Sequence, residues 1–255
     1  MGHERLGSLP QTRRWRTIVD DISRSQGYDV AELANKTLGN VRTRFNNLHT
    51  DTGVQAAFGY LASLATSDLP PTTGVSSPTT GLDGNPSPVR ITKNLSDWVS
   101  QHASSQEYAE MACRAGADTI LEWTKTRTAQ ALLFEEGGSA PRIWSESANA
   151  EGFCQVARSF FAHFTERYLR YFLEREASAQ LSSFEARERF AVSLHSHIQD
   201  VSRKAFGMSK ITQSFAAGWF NNHARESRPS DAEIRAFLAT AFGKLQEEIH
   251  REATE

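Results

Sequence analysis

Residues 152–175 read GFCQVARSFFAHFTERYLRYFLER and carry seven aromatic rings: Phe153, Phe160, Phe161, Phe164, Tyr168, Tyr171 and Phe172. At about 100° per residue, Phe153, Ala157, Phe160, Phe164, Tyr168 and Tyr171 form one stripe, with Phe161 and Phe172 on its flank. That much aromatic surface is stable only when removed from water. The spacing therefore predicts a helix running through the middle of a hydrophobic core.

Working outward, helical patterns recur on both sides. Trp15, Ile18, Val19 and Ile22 share one face. After a break at Gln26-Gly27, Val30, Leu33, Ala34, Leu38, Val41, Phe45 and Leu48 predict a single longer helix capped by Asp29. Asp51 caps a third helix that buries Val54, Ala57, Phe58, Leu61, Leu64 and Ala65. Residues 68–90 then hold five of the eight prolines, Pro70, Pro71, Pro78, Pro86 and Pro88, among Gly, Ser and Thr, which reads as a flexible linker or loop. The chain so divides into an N-terminal arm and helical segment (1–67), the linker (68–90) and a main helical domain (91–255). The first eleven residues, with Pro10 and no period, form the arm.

Past the linker, Ile91, Leu95, Trp98 and Val99 mark a short helix. Ser104 and Glu107 form a capping box for a segment running to Phe134, with an interruption expected near Gly116. Residues 135–149 read as a loop anchored by Trp144. Ser182 and Glu185 form another capping box, before a helix with Phe190, Ala191, Leu194, Ile198, Val201 and Ala205 in register, closed by Gly207. Ile211, Phe215, Trp219 and Phe220 follow on a shorter helix. The last helix opens on a Ser230/Glu233 capping box and buries Ile234, Phe237, Leu238, Ala241, Phe242, Leu245 and Ile249. No segment alternates as a strand does. The fold class expected is all-α, a bundle of eight or nine helices with one long Pro/Gly/Ser/Thr-rich loop.

Composition sets outer bounds. A chain of 255 residues with 39% hydrophobic and 23% charged residues can bury a sizeable core. The net charge is −2, but residues 1–50 carry eight Lys/Arg against five acids and the final thirty carry four against seven. Cys113 and Cys154 are the only cysteines, too few for a disulfide framework and in keeping with a reducing compartment. There is no run of eighteen apolar residues, no apolar stretch beside Arg5, Arg13, Arg14 and Arg16 to make a signal peptide, and Leu6 stands where a myristoylation signal needs Ser or Thr. A cytoplasmic protein without membrane contact is expected.

Few residues carry specific chemistry. His195 and His197 project about 200° apart on a helix and cannot share an ion, and Glu247/His250 is a lone Glu-x-x-His pair, so no metal site is expected. There is no Gly-x-Ser-x-Gly elbow, phosphate loop or dinucleotide fingerprint, so no cofactor is expected. In the aromatic helix, Arg158 and His163 form an Arg-x4-His pair, with Ser159 after the arginine. These six residues resemble the active-site motif of the helical HEPN ribonucleases. The resemblance implies metal-free transesterification of RNA at a dimer interface, with histidine in proton transfer and arginine stabilising the phosphorane. Arg44/His49 repeats the spacing, and Arg189/His195 lengthens it by one.

Charges on the aromatic helix need partners. Arg170 and Glu174 are spaced to pair at i,i+4, Arg167 lies near the apolar stripe, and Arg175 requires an acid from another helix or an anionic ligand or partner. Arg13, Arg14, Arg16, Arg42 and Arg44 are candidate nucleic-acid contacts, the alternative being a solvated face. Trp219-Phe220 at a helix end serves docking or core closure. The leading expectation is a non-catalytic protein-interaction subunit of a larger cytoplasmic assembly, such as a bacterial multi-component or antiviral defence system, with a protein partner or a second copy. The alternatives are a HEPN-like ribonuclease using Arg158 and His163, and nucleic-acid binding through the N-terminal arginines.

Overall fold

The computed structural model describes residues 12–23, 29–66, 78–79, 82, 86–104, 108–134, 143–207 and 214–254, without the side chains of 23, 130–134, 174, 175 and 178. Among these residues the chain forms ten α-helices, two short 3-10 turns and no strand, so the architecture is the all-α bundle that the periodicities predict. The longest helix is the aromatic one, α7 (Ala150–Gln180), and it is the hub. It packs against α6 (Ala109–Phe134), α8 (Phe184–Ala205), α9 (Phe215–His223), α4 (Thr52–Ala65), α1 (Arg13–Ser23) and α2 (Val30–Asn40).

Phe153, Phe160, Phe161, Phe164 and Tyr168 are fully buried in α7, and Phe172 is nearly so. Their rings meet Phe58 of α4 and Phe237 and Phe242 of α10 (Asp231–Glu252), largely edge to face or tilted, with Phe161 and Phe242 centred 5.1 Å apart at 80°. Such offset geometries suit the ring quadrupoles and add to the area removed from water. Trp219 lies against Phe153 and Phe237, centroids 5.3 and 4.8 Å away, so this bulky helix end closes the core. Buried residues of α1, α2 and α4 belong to the same hydrophobic cluster as those of α7 and α10.

Caps define most element starts. The Asp29 and Asp51 carboxylates accept backbone N–H groups of the first turns of α2 and α4, and Ser230 and Glu233 form the complete reciprocal box at α10. Three boundaries differ from the sequence expectation. The helix expected over 30–48 breaks at Val41 (φ −109°, ψ 17°) into α2 and a short α3 (Arg42–Asn46), followed by a 3-10 turn. The poor helix formers Gly39 and Asn40 sit at the break, while Phe45 and Leu48 stay buried. The linker expected to 90 ends at Ser87, whose hydroxyl caps α5 (Pro88–His102), with Pro88 in the first turn, where a missing N–H costs nothing. The cap of α8 is Ser183, not Ser182, because Ser183 Oγ accepts the Ala186 N–H at 3.1 Å.

α6 runs unbroken through Gly116, where a Cβ would approach Leu95 Cδ2 of α5 to 2.9 Å. The glycine permits close helix packing and does not interrupt the helix. Glu107 lies outside the described residues; Ser104 Oγ is 2.8 Å from Thr52 Oγ1 at the start of α4. The arm 1–11, the Gln26-Gly27 break and Ile211 also lie outside them. Trp144 is buried beside Trp123, and Trp123 Nε1 donates to the Ile143 carbonyl at 3.0 Å, so the end of the loop before α7 is anchored as expected. Gly207 takes φ +60° after α8, a left-handed conformation that glycine adopts without steric cost. No helix among the described residues is long and apolar enough to cross a membrane.

Candidate functional site

Two polar regions stand out, on different flanks of the bundle. The first is a seam where α7 meets α6 and α8. Arg158, Ser159, His163, Glu166 and Arg167 of α7 face polar side chains of those two neighbours. Glu122 of α6 gathers three of them. Its Oε2 accepts the Ser159 hydroxyl and, at 3.1 Å, His163 Nε2, while its Oε1 lies 4.0 Å from the Arg158 guanidinium. The His163 bond, working against partial desolvation and aided by Ser159 and the Arg158 charge, holds the Glu122 carboxyl down at about 2. Arg158 Nη1 also donates to Gln199 Oε1 of α8 at 3.0 Å.

The seam continues along α7. Glu166, only 7% exposed, accepts Arg170 Nη1 at 3.2 Å and His195 Nδ1 at 2.7 Å, and Arg167 pairs with Asp118 of α6. Arg170 thus takes Glu166 one turn back; the side chain of Glu174, its expected partner, lies outside the described residues. A carboxylate as buried as Glu166 requires such partners. Two carboxylates on α6 and two polar side chains on α8 therefore fasten both neighbours to α7.

The pair Arg158 and His163 does come together, at one carboxylate. In chemical terms the cluster holds a histidine for proton transfer and a guanidinium for an anionic transition state, but Glu122 occupies the space between them that a phosphate would need. Ser159 donates to Glu122 and not to His163, so it is not an activated serine of the triad type. Burial pushes up the Cys113 and Cys154 thiols, and neither is a poised thiolate. Among the described residues, no three His, Cys, Asp or Glu side chains are grouped to hold a metal ion.

The second region is a groove of about 880 Å³ between α1, α2, α3 and α10. Arg14, Lys36, Arg42, His49, Glu247 and His250 are its charged or ionisable lining. Lys36 is neutralised by Asp21 and Glu32, each 2.7 Å away. His49 Nδ1 lies 2.6 Å from the Asn46 carbonyl, and His250 Nδ1 lies 3.3 Å from Asn35 Oδ1. Arg14 and Arg42 are exposed and make no ion pair among the described residues. Arg13, Arg16 and Arg44 are exposed as well, but do not line the groove. A second cavity, about 650 Å³, lies between α4, α5 and the start of α10 and takes in none of the candidate residues.

The N-terminal arginines therefore divide two to the groove and three elsewhere, and the Arg175 side chain lies outside the described residues. Sequence inspection missed Glu122, Glu166, His195 and Gln199 as partners, since a lone acid on a polar helix flank carries no signal of what faces it. In the sequence Glu247 and His250 stand out for their spacing alone; α10 brings them into the same groove lining as Arg14 and Arg42. Compared with known proteins, the chain matches no family model, no curated protein and no solved structure.

Proposed function

We propose that this chain is a non-catalytic interaction subunit of a larger assembly, working through the α1–α3 side of the bundle. The observation that carries this reading is a contrast in charge satisfaction. Along the seam Arg158, His163, Glu166, Arg167 and Arg170 all have partners within the fold, whereas Arg14 and Arg42, from separate helices, face one groove without a carboxylate of their own. Solvent-exposed guanidiniums left without internal partners are available to a partner's anions.

The test is affinity recovery of the tagged chain from its native host, with and without nuclease, for the wild type, the Arg14→Glu/Arg42→Glu variant and His163→Ala. The expected result is a stoichiometric partner that the double variant loses and His163→Ala keeps. A partner retained in full by the double variant would sink the proposal. The identity of what is recovered tests the expectation of a bacterial multi-component or defence assembly.

One observation favours a second reading, ribonuclease activity of the HEPN kind: Arg158 and His163, with Ser159, converge on Glu122. In that mechanism Glu122 swings aside, the 2′-oxygen attacks phosphorus as the bond to the 5′-oxygen breaks, His163 moves the proton from the 2′-hydroxyl to that leaving oxygen, and Arg158 stabilises the phosphorane. Metal-free cleavage of RNA by the wild type, abolished in His163→Ala and in Arg158→Ala, is its expected signature. Equal activity in His163→Ala removes it.

A further inference from the structure

We infer that the groove between α1, α2, α3 and α10 is a binding site for a nucleic-acid phosphodiester backbone, held by Arg14 and Arg42. This rests on the reading of the α1–α3 side as the working surface and names its partner's chemistry. Two exposed guanidiniums on different helices, neither in an ion pair among the described residues and both lining one cavity, offer bidentate donors to phosphate groups. Asn46 and Gln246, also in the lining, add neutral donors and acceptors suited to sugar hydroxyls and phosphate oxygens.

The lining also says how the ligand is read. Its one Phe, Tyr or Trp residue, Phe242, is only 1% exposed, and its ring is engaged with Phe45 and Phe164 in the core. With the imidazoles of His49 and His250 the other rings in the lining, the groove offers no large aromatic platform for bases, and the guanidiniums engage the backbone whatever the base. A compact nucleotide ligand is disfavoured for the same reason. An acidic peptide shares the charge but not the regular spacing of phosphates, and it serves as the competing outcome. Glu247 is the one carboxylate in the lining; it opposes any anion and so provides a test with the opposite sign.

The experiment measures fluorescence anisotropy of a labelled single-stranded oligouridylate, an oligoadenylate of the same length and a polyglutamate peptide against the full chain, over a series of salt concentrations. The expected result is salt-dependent binding of both oligonucleotides with similar affinity, and weaker binding of the peptide. Arg14→Ala and Arg42→Ala should each lower the slope of log affinity against log salt by about 0.7, the contribution of one phosphate contact on a single strand. Arg44→Ala, outside the groove, should leave the slope unchanged, Glu247→Gln should tighten binding, and the Arg→Lys versions should retain most of the slope.

Absence of salt-dependent binding by the wild type overturns the inference. So does an unchanged slope in the Arg14/Arg42 double variant, peptide binding equal to that of the oligonucleotides, or weakened binding in Glu247→Gln. Recovery of a nuclease-resistant protein partner through Arg14 and Arg42 by a chain that binds no oligonucleotide would overturn this inference alone and leave the proposed subunit role standing. Unfolding midpoints of the variants, expected to match the wild type, separate loss of binding from loss of fold.

Discussion

On the flank where α6, α7 and α8 meet, the aromatic rings of α7 fill the interior and Arg158, His163, Glu166 and Arg167 are tied to a neighbouring helix. On the flank where α1, α2 and α3 face α10, two exposed guanidiniums line a groove and make no ion pair among the described residues. The same chain thus treats charge in two ways. Where it closes helix upon helix, charge is consumed as a clamp; where it opens a groove, charge is left over. A substitution on the first flank should register as stability and one on the second as binding, and each prediction tests that division.

The largest effect is expected at the centre of the first flank. Phe161 is fully buried, and its ring meets Phe58, Phe160, Phe206, Phe237 and Phe242, from α4, α7, the turn after α8, and α10. Phe161→Ala should lower stability by about 3–5 kcal/mol in urea unfolding, combining lost transfer energy with a cavity that five rings cannot readily fill. A loss under 1 kcal/mol would mean that α7 is not the hub.

Next comes the point where α7 begins. A Cβ at Gly152 would run into the Glu146 carbonyl oxygen and come within 2.8 Å of Ser147 Cα. Both are backbone and cannot simply rotate away, so Gly152→Ala should cost about 1–3 kcal/mol even though alanine is the better helix former. Stabilisation by this substitution would show that the loop before α7 is free to withdraw.

These two positions also mark what the sequence makes legible and what it hides. The seven rings identify α7 as the core helix because helical periodicity is a local signal, and the Asp29, Asp51 and Ser230 caps are equally local. Gly152 gives no sign in the sequence that a turn of backbone presses on it, because that contact depends on how the preceding loop folds back. The candidate site follows the same rule. Arg158 and His163 can be picked out by spacing along one helix, but Glu122 cannot, since only packing sets α6 against α7. The five N-terminal arginines are visible as a cluster in sequence, yet helix geometry and the break at Val41 decide that Arg14 and Arg42 share a groove while Arg13, Arg16 and Arg44 do not.

A third prediction separates clamp from core within the first flank. Glu166→Ala removes a carboxylate that is almost fully buried, but the partners it leaves, Arg170 and His195, are 37% and 50% exposed at their side chains and can be rehydrated. The cost should therefore fall near 1–2 kcal/mol, the value of lost charge-assisted hydrogen bonds, and below that of stranding a buried charge. A loss as large as that at Phe161 would make the clamp, and not the rings, the main support of α8.

A smaller effect is expected from pH. The Glu122 carboxyl is held down at about 2 in the folded protein, below its value in an unfolded chain of about 4.3. Depression means that the folded state binds the proton less readily. The stability it contributes is therefore present above the unfolded pKa and is lost as pH falls through the range from there to about 2. Comparison of wild type with Glu122→Gln by thermal unfolding should show two curves that converge as the pH is lowered through this window. Curves that stay parallel would show that the Glu122–His163 contact is not populated in solution.

The smallest effect on stability, expected at Arg14 and Arg42, is the one that carries most of the comparison. Neither guanidinium pairs with an acid among the described residues, and both are exposed, so removing either takes away no ion pair seen there. Replacement by alanine should leave the urea midpoint unmoved, whereas the clamp residues of α7, equally polar, should not tolerate it. If Arg14→Ala or Arg42→Ala destabilises the fold measurably, these side chains have an internal partner after all, and the distinction between the two flanks disappears. If they are silent in unfolding and their loss abolishes recovery of the partner, then the charge left over at the groove is held there for binding, since the fold itself does not require it.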